Sequence, residues 1–283
     1  KDQGKRAWKH ATCLPEFASP RHGWEDHPVV LGLVCAVTTS LLFGVAAVLQ
    51  ATGARDVPSI SQHPWRDVLR TALVNKMLMA VLAMHIFGGF LHLLSAVLLP
   101  LYLAQAIMAA SVVVTAFYAA HLLKEHLSTS DKAAVFVTMA GLVLLTASSG
   151  RAGGERVHER FLWMLIIFLV MGTLAATFAV QSKDRAAAVT LAAVGGAAYA
   201  ITPLAARGLG NPTFSVENVL SMFLIIVGSL VGFVFYSFSL QRVSTIAATA
   251  PLVLAETLVP AGIGLMFLHD TLRQGLGTGA IAG

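Results

Sequence analysis

One carboxylate lies in the middle of a long apolar stretch near the C-terminal end of the chain. Residues 244–270 read STIAATAPLVLAETLVPAGIGLMFLHD, and Glu256 stands near their centre. The stretch is long enough to cross a bilayer, which takes ~20 residues. Burying a carboxylate at that depth costs roughly 3 kcal/mol, so Glu256 is a candidate for proton exchange or cation binding. The alternative is a structural carboxylate that is hydrogen-bonded to a neighbouring helix.

Two prolines and two threonines accompany this acid. Pro251 and Pro260 each leave a carbonyl four residues earlier without its helical hydrogen bond, and for Pro260 that carbonyl belongs to Glu256 itself. Helical spacing places Thr245, Thr249, Glu256 and Pro260 along one stripe. A polar stripe on an apolar helix faces other helices or water rather than lipid. Thr249 therefore joins Glu256 as a candidate site residue.

A pair of histidines marks a second apolar stretch. His85 and His92 are seven residues apart, so they share one face of a helix. Such a pair can titrate near neutral pH or bind a metal, but two histidines alone are a weak metal pattern. Packing and the lining of a cavity are the alternatives. Gly88 and Gly89 lie between them and allow another helix to approach closely.

The remaining candidates lie in two further apolar stretches. Tyr236 follows Gly228 and Gly232 on one face, a small-xxx-small packing pattern that continues into polar groups. Gln105 is a polar residue within an apolar run. HExxH, GxSxG and Walker patterns do not occur, so we expect neither an enzyme nor a cofactor. We assign to a substrate or coupling site Glu256, His85, His92, Gln105, Tyr236 and Thr249, and we predict no metal site.

The composition requires that these residues be positioned by membrane helices. The chain has 283 residues, of which 57% are hydrophobic and 12% are charged. Soluble domains carry about 25% charged residues, so we predict an all-α bundle of transmembrane helices. The formal net charge is +5, but the basic residues are spread over short loops, as in proteins whose loop charge orients membrane helices. Nucleic acid is therefore not an expected partner.

Eight complete apolar spans, and a ninth that is cut short, can be placed along the chain. A polar loop with Arg55, Arg66 and Arg70 separates the first two spans. Residues 1–28 are polar and mixed in charge, and we expect a disordered tail there. The spans occupy about 29–51, 73–97, 100–123, 132–149, 161–181, 185–206, 216–240 and 244–268, with the ninth running from about 274 to the end.

The two halves of the chain can be aligned with each other. Residues 36–55 fall on residues 188–207, and the Glu-x-Leu pattern at Glu125 falls on Asp-x-Leu at Asp270. The alignment pairs four spans with four and leaves one between them. The resulting shift of five spans is odd, so the halves must lie in opposite orientations, as in transporters with alternating access. The predicted organisation is a tail over 1–28, a first repeat over 29–150, a loop and linking helix over 151–184, and a second repeat over 185–283 that is incomplete at its end.

The chain resembles the drug/metabolite transporter superfamily, in particular its EamA-like membrane proteins. Three runs carry the resemblance: LLFGVAAVLQATGAR, then LPLYLAQAIMAASVVVTAFYAAHLLKEHLSTSD with the following TMAGLVLL, and IAATAPLVLAETLVPAGIGLMFLHDTL. The resemblance implies a multi-pass protein of the cell membrane, which we expect to be a bacterial cytoplasmic membrane. It also implies secondary transport of a small organic metabolite through a cavity between inverted repeats.

Two other functions stay open. Nine spans, where EamA-like proteins have ten, are similar to the NIPA-type magnesium transporters, although Mg²⁺ usually takes one or two carboxylates and only Glu256 lies deep in a span. A membrane scaffold without transport is the third hypothesis. The expected partners are the lipid bilayer, a small-molecule substrate, and protons or another coupling ion.

Overall fold

The computed structural model is all-helical over the residues that it describes, which are 27–58, 63–99, 107–108, 110–125, 128–148, 157–182, 184–209 and 215–268. This part of the chain contains no strand, and the predicted helical fold class is confirmed for it. It forms nine helices: α1 (His27–Arg55), α2 (Trp65–Val74), α3 (Lys76–Leu98), α4 (Ser111–Leu122), α5 (Thr129–Ser148), α6 (Glu159–Gln181), α7 (Arg185–Ala206), α8 (Val216–Leu240) and α9 (Thr245–Phe267).

Six of these helices are long and apolar enough to cross a bilayer, namely α1, α3, α6, α7, α8 and α9. The chain is therefore a multi-pass helical membrane protein. α4 is a shorter apolar helix in the second half of the predicted span 100–123. Residues 1–26 of the predicted tail, Gln105 and the ninth predicted span lie outside the described residues, while His27 and Pro28 belong to α1.

The loop predicted between the first two spans contains a helix. α2 begins directly after Pro64 and ends at Val74, and Asn75 separates it from α3. The Asn75 side chain caps α3, since its Oδ1 accepts hydrogen bonds from the backbone N–H groups of Met77 at 2.9 Å and Leu78 at 3.1 Å. Hydropathy did not predict α2, because a short helix with one polar face has no excess of apolar residues.

The helices pack in two groups that meet along α1 and α9. In the first group α1 contacts α3 and α4, and α4 contacts α5; in the second group α7 contacts α6, α8 and α9. Between the groups, α1 contacts α8 and α9, while α9 also contacts α4 and α5. α6 is the predicted linking helix, and it packs with the second group against α7 and α8.

The alanine- and glycine-rich helix α7 is the most buried of the six candidate spans. A Cβ atom at Gly196 would collide with the backbone oxygen of Leu252 on α9. A Cβ atom at Gly195 would lie 3.2 Å from the backbone oxygen of Gly232 on α8. Small side chains thus allow the backbones of α8 and α9 to approach α7 closely, as is usual between membrane helices.

Two of the glycines predicted to pack lie in this contact. A Cβ atom at Gly228 would lie 3.0 Å from the backbone oxygen of Ala198, and one at Gly232 would lie 3.0 Å from that of Gly195. Side chains from α6, α7 and α8 also form a buried apolar cluster that includes Leu162, Leu165, Ile201, Leu204 and Leu224.

Candidate functional site

Glu256 lies at the midpoint of α9, which has 23 residues and a length of about 34 Å. The helix continues through Pro251 and Pro260 without a break. Glu256 is only partly buried, and within the described residues its carboxylate accepts no hydrogen bond. It lies close enough to Tyr199 and Tyr236 to interact with both electrostatically. The structure therefore places at the centre of a membrane-length helix a carboxylate that has no hydrogen-bond donor among the described residues, together with the carbonyl that Pro260 frees.

Tyr236 and Thr249 are hydrogen-bonded to each other. The distance between Tyr236 Oη and Thr249 Oγ1 is 2.6 Å, and both residues are buried. Thr249 Oγ1 donates to the backbone oxygen of Thr245 at 2.7 Å, so the tyrosine hydroxyl is the donor in the first bond. The structure brings these two predicted site residues together about two turns before Glu256, where they join α8 to α9.

His85 is the centre of a group of rings, the ring cluster, which also contains Phe43, Tyr199 and Phe233. The His85 ring is stacked with Phe43 at a centroid distance of 5.4 Å and with Tyr199 at 6.3 Å. Phe233 meets it edge-on at 5.9 Å. All four residues are partly buried, and they come from α1, α3, α7 and α8. The cluster therefore lies where the two groups of helices face each other.

Two polar side chains, those of Gln50 and Tyr199, lie at the ring cluster. Within the described residues, the buried atoms Tyr199 Oη and Gln50 Oε1 have no hydrogen-bond partner. Gln50 Nε2 donates to the backbone oxygen of Phe233 at 3.1 Å and to Ser237 Oγ at 2.8 Å. A buried polar atom without a partner costs about 1–3 kcal/mol. Tyr199 also interacts electrostatically with Glu256, so its hydroxyl is suited to a ligand or to water near that carboxylate.

The site residues predicted from the sequence do not include Gln50, Tyr199, Phe43 or Phe233. A signal existed for two of them. Gln50 is a polar residue inside the first apolar span, and Tyr199 is the aromatic residue of an otherwise small-residue span. Phe43 and Phe233 carry no such signal, since phenylalanine is common in membrane helices.

The other predicted site residues lie at varied positions. His92 is partly buried, and its Nδ1 atom has no partner among the described residues. A Cβ atom at Gly88 would lie 2.5 Å from the Phe43 ring, so this glycine makes room for the ring cluster. Gly89 faces outward, and a Cβ atom there would have nothing within 4 Å.

A network that we call the end tie joins the two groups of helices at one end of the bundle; its members are Arg55, Glu125, Leu240 and Thr245. Arg55 Nη2 donates to Glu125 Oε1 at 2.6 Å, and Arg55 Nε donates to the backbone oxygen of Leu240 at 3.3 Å. Glu125 also accepts from the backbone N–H and the hydroxyl of Thr245, both at 3.0 Å. Its negative charge is favourable there because it lies at the N-terminus of α9.

Two further side chains reinforce the same end. Gln241 Nε2 donates to the backbone oxygens of Ala54 at 2.8 Å and Val57 at 3.1 Å. The Arg242 guanidinium donates to three backbone oxygens at the C-terminal end of α6, at 2.6 to 3.0 Å. Burial lowers the pKa of Arg242 from its ordinary value. Because the ordinary pKa of arginine is far above neutral, the group stays charged at neutral pH. These bonds connect the segment after α8 to α1 and to the end of α6.

The comparison with known proteins adds no family. No family model, curated protein or solved structure matches the chain. Across the part of the chain that the structure describes, no group of three or more His, Cys, Asp or Glu side chains is placed to hold a metal ion.

Proposed function

We propose that the protein is a secondary transporter that moves a small organic solute across the membrane by alternating access. Glu256 is the observation that carries the proposal. An ionisable group at the midplane of a membrane helix is costly and marks a pathway for substrate or ions in most proteins that keep one. A structural carboxylate would be expected to have hydrogen-bond donors, and within the described residues Glu256 has none.

The surroundings of Glu256 favour a solute that carries a positive charge. The carboxylate and the carbonyl freed by Pro260 are acceptors, and aromatic faces attract a cation within about 6 Å of the ring centroid. Tyr199 belongs to the ring cluster and interacts electrostatically with Glu256. A proton on Glu256 would replace the charge of the solute when the site is empty, which would couple solute movement to a proton gradient.

The packing of the helices is compatible with alternating access. We infer that the site lies between the two groups of helices and that the end tie closes one end of the pathway. In this proposal the two groups, apart from the linking helix α6, are the inverted repeats of the drug/metabolite transporter superfamily. The end tie breaks when the site becomes accessible from the other side of the membrane. The position of the site at the midplane between two halves is the usual one in such transporters.

A thermal-shift screen in detergent tests the proposal. The panel holds organic cations, amino acids, sugars, nucleotides and Mg²⁺, each with wild type, Glu256→Gln and a control, Glu159→Gln. Glu159 lies in the first turn of α6, away from the site. A ligand present at 100 times its Kd stabilises the native state by about 2.7 kcal/mol. We expect a cationic solute to stabilise wild type and the control but not Glu256→Gln.

Transport of the same solute into proteoliposomes completes the test. We expect uptake that responds to a pH gradient in wild type and is lost in Glu256→Gln. Equal uptake with equal pH response in both proteins would show that Glu256 has no role in transport. Stabilisation by Mg²⁺ alone, abolished in Glu256→Gln, would favour the magnesium hypothesis instead.

A further inference from the structure

The short helix α2 has an exposed face that no described helix covers. Its buried side is occupied by Val68, which packs in a cluster with Val57 and Leu78, and α3 is the helix that α2 contacts most. The opposite side, which we call the α2 outer face, consists of Arg66, Leu69, Arg70, Leu73 and Val74.

The α2 outer face contains both basic and apolar side chains, and they lie on separate edges of one helical stripe. Arg66, Leu69, Arg70 and Leu73 follow the i, i+3, i+4, i+7 spacing of one helical stripe. At 100° per residue the two leucines form one edge of this stripe and the two arginines the other. The side chains of Leu69, Leu73 and Val74 are 48%, 58% and 70% exposed. With the two arginines they line a shallow depression of about 420 Å³.

The position of α2 in the chain places this face at the boundary of the membrane. One residue, Asn75, separates α2 from α3, which crosses the membrane from Lys76 onward. A helix at this level buries apolar side chains among acyl chains and keeps its basic side chains among headgroups. The exposed leucines are unfavourable in water and favourable in lipid.

The two arginines match a phosphate. Residues at i and i+4 of a helix have Cβ atoms about 5–6 Å apart, so both guanidinium groups can reach one phosphate. Guanidinium binds phosphate through paired hydrogen bonds. Acidic Asp67 lies beyond the arginine edge, in the first turn of α2, and leaves the helix with a net positive charge. A headgroup with a net negative charge fits this balance better than a zwitterionic one.

We propose that the α2 outer face binds an anionic phospholipid. Its phosphate lies on Arg66 and Arg70, and its acyl chains lie along Leu69 and Leu73. The binding anchors α2 at the membrane surface and thereby the start of α3, which carries His85. This inference does not depend on the proposed transport function.

Lipid titration of the purified full chain in mixed micelles tests it. The apparent melting temperature is followed as phosphatidylglycerol or phosphatidylcholine is added, and inorganic phosphate is added in a parallel series. The variants are Arg66→Gln/Arg70→Gln, the single Arg70→Gln, and the control Arg185→Gln. Arg185 is an exposed arginine at the start of α7, at the same end of the bundle as α2.

We expect phosphatidylglycerol to stabilise wild type and Arg185→Gln, with little effect of phosphatidylcholine or inorganic phosphate. The double variant should require roughly 30-fold more phosphatidylglycerol for the same effect, since each basic residue near an anionic surface strengthens the attraction about fivefold. Arg70→Gln should fall between them, and it serves alone if the double variant does not fold. Three results would overturn the proposal: an unchanged response in both α2 variants, an equal loss in Arg185→Gln, or full stabilisation by inorganic phosphate.

Discussion

Replacing Glu125 with glutamine should weaken the end tie and lower the stability of the folded protein. The substitution keeps the size of the side chain and one oxygen acceptor, but it removes the negative charge. Three hydrogen bonds to Glu125 are affected, from Arg55 at 2.6 Å and from the backbone and hydroxyl of Thr245 at 3.0 Å. In wild type each of them is charge-assisted.

The expected loss follows from how far water reaches the pair. Exposed ion pairs contribute about 0.2–1 kcal/mol, while breaking a buried pair costs about 3–5 kcal/mol. The side chain of Arg55 is 37% exposed and that of Glu125 is 14% exposed. Arg55 can therefore be partly rehydrated after the substitution, and one bond to Thr245 can persist. We expect Glu125→Gln to lower the free energy of unfolding by about 1–2 kcal/mol.

Thermal unfolding in detergent measures this loss. At roughly 2–4 °C per kcal/mol, the melting temperature should fall by about 2–8 °C. Asp56→Asn is the matched control, because Asp56 is an exposed acid next to Arg55 and should change stability by less than about 0.5 kcal/mol.

A double-mutant cycle with Arg55→Gln isolates the ion pair. We expect a coupling energy of about 0.5–1 kcal/mol between the two substitutions. Equal melting temperatures for Glu125→Gln and Asp56→Asn, or strictly additive effects in the cycle, would refute the reasoning. The end tie would then contribute nothing to the stability of the folded protein.

Two further comparisons test the packing and the site. Gly196→Ala forces a Cβ atom into a backbone oxygen of α9 and should lower the free energy of unfolding by about 1–3 kcal/mol, measured by chemical or thermal unfolding. Gly89→Ala places its Cβ atom in open space and should not change stability. Equal stability of the two variants would contradict the close approach of α7 and α9. Tyr236→Phe removes the hydrogen bond to Thr249 and should cost about 1 kcal/mol. Tyr199→Phe removes a hydroxyl that has no partner among the described residues, so the melting temperature should stay the same or rise. In the thermal-shift screen the same substitution should weaken solute binding. A clear loss of stability would show that this hydroxyl is hydrogen-bonded.

The membrane helices could be predicted from the sequence because each one is a local property of hydropathy and length. The predicted spans 185–206 and 216–240 agree with α7 and α8 at both ends. Among the six candidate spans, α7 has the lowest mean hydropathy and is nevertheless the most buried. Its alanines and glycines reduce hydropathy, yet the same small side chains allow close packing.

The rotation of each helix about its axis could not be predicted in the same way. α1 and α9 have almost no amphipathic character, because lipid and the interior of the bundle are both apolar and hydropathy does not distinguish the two faces. α2 is strongly amphipathic, but it is short and lies beside a longer apolar span.

The sequence by itself determined that the chain is a multi-pass helical membrane protein and that one carboxylate, Glu256, lies at membrane depth. Both conclusions depend on the cost of transferring neighbouring residues into lipid, which the local sequence contains. The tertiary structure alone decided which polar groups meet. Glu125 pairs with Arg55 across 70 residues and Gln50 with Ser237 across 187. Such pairs depend on how helices of equal hydropathy turn toward one another, and that is settled by packing over the whole bundle.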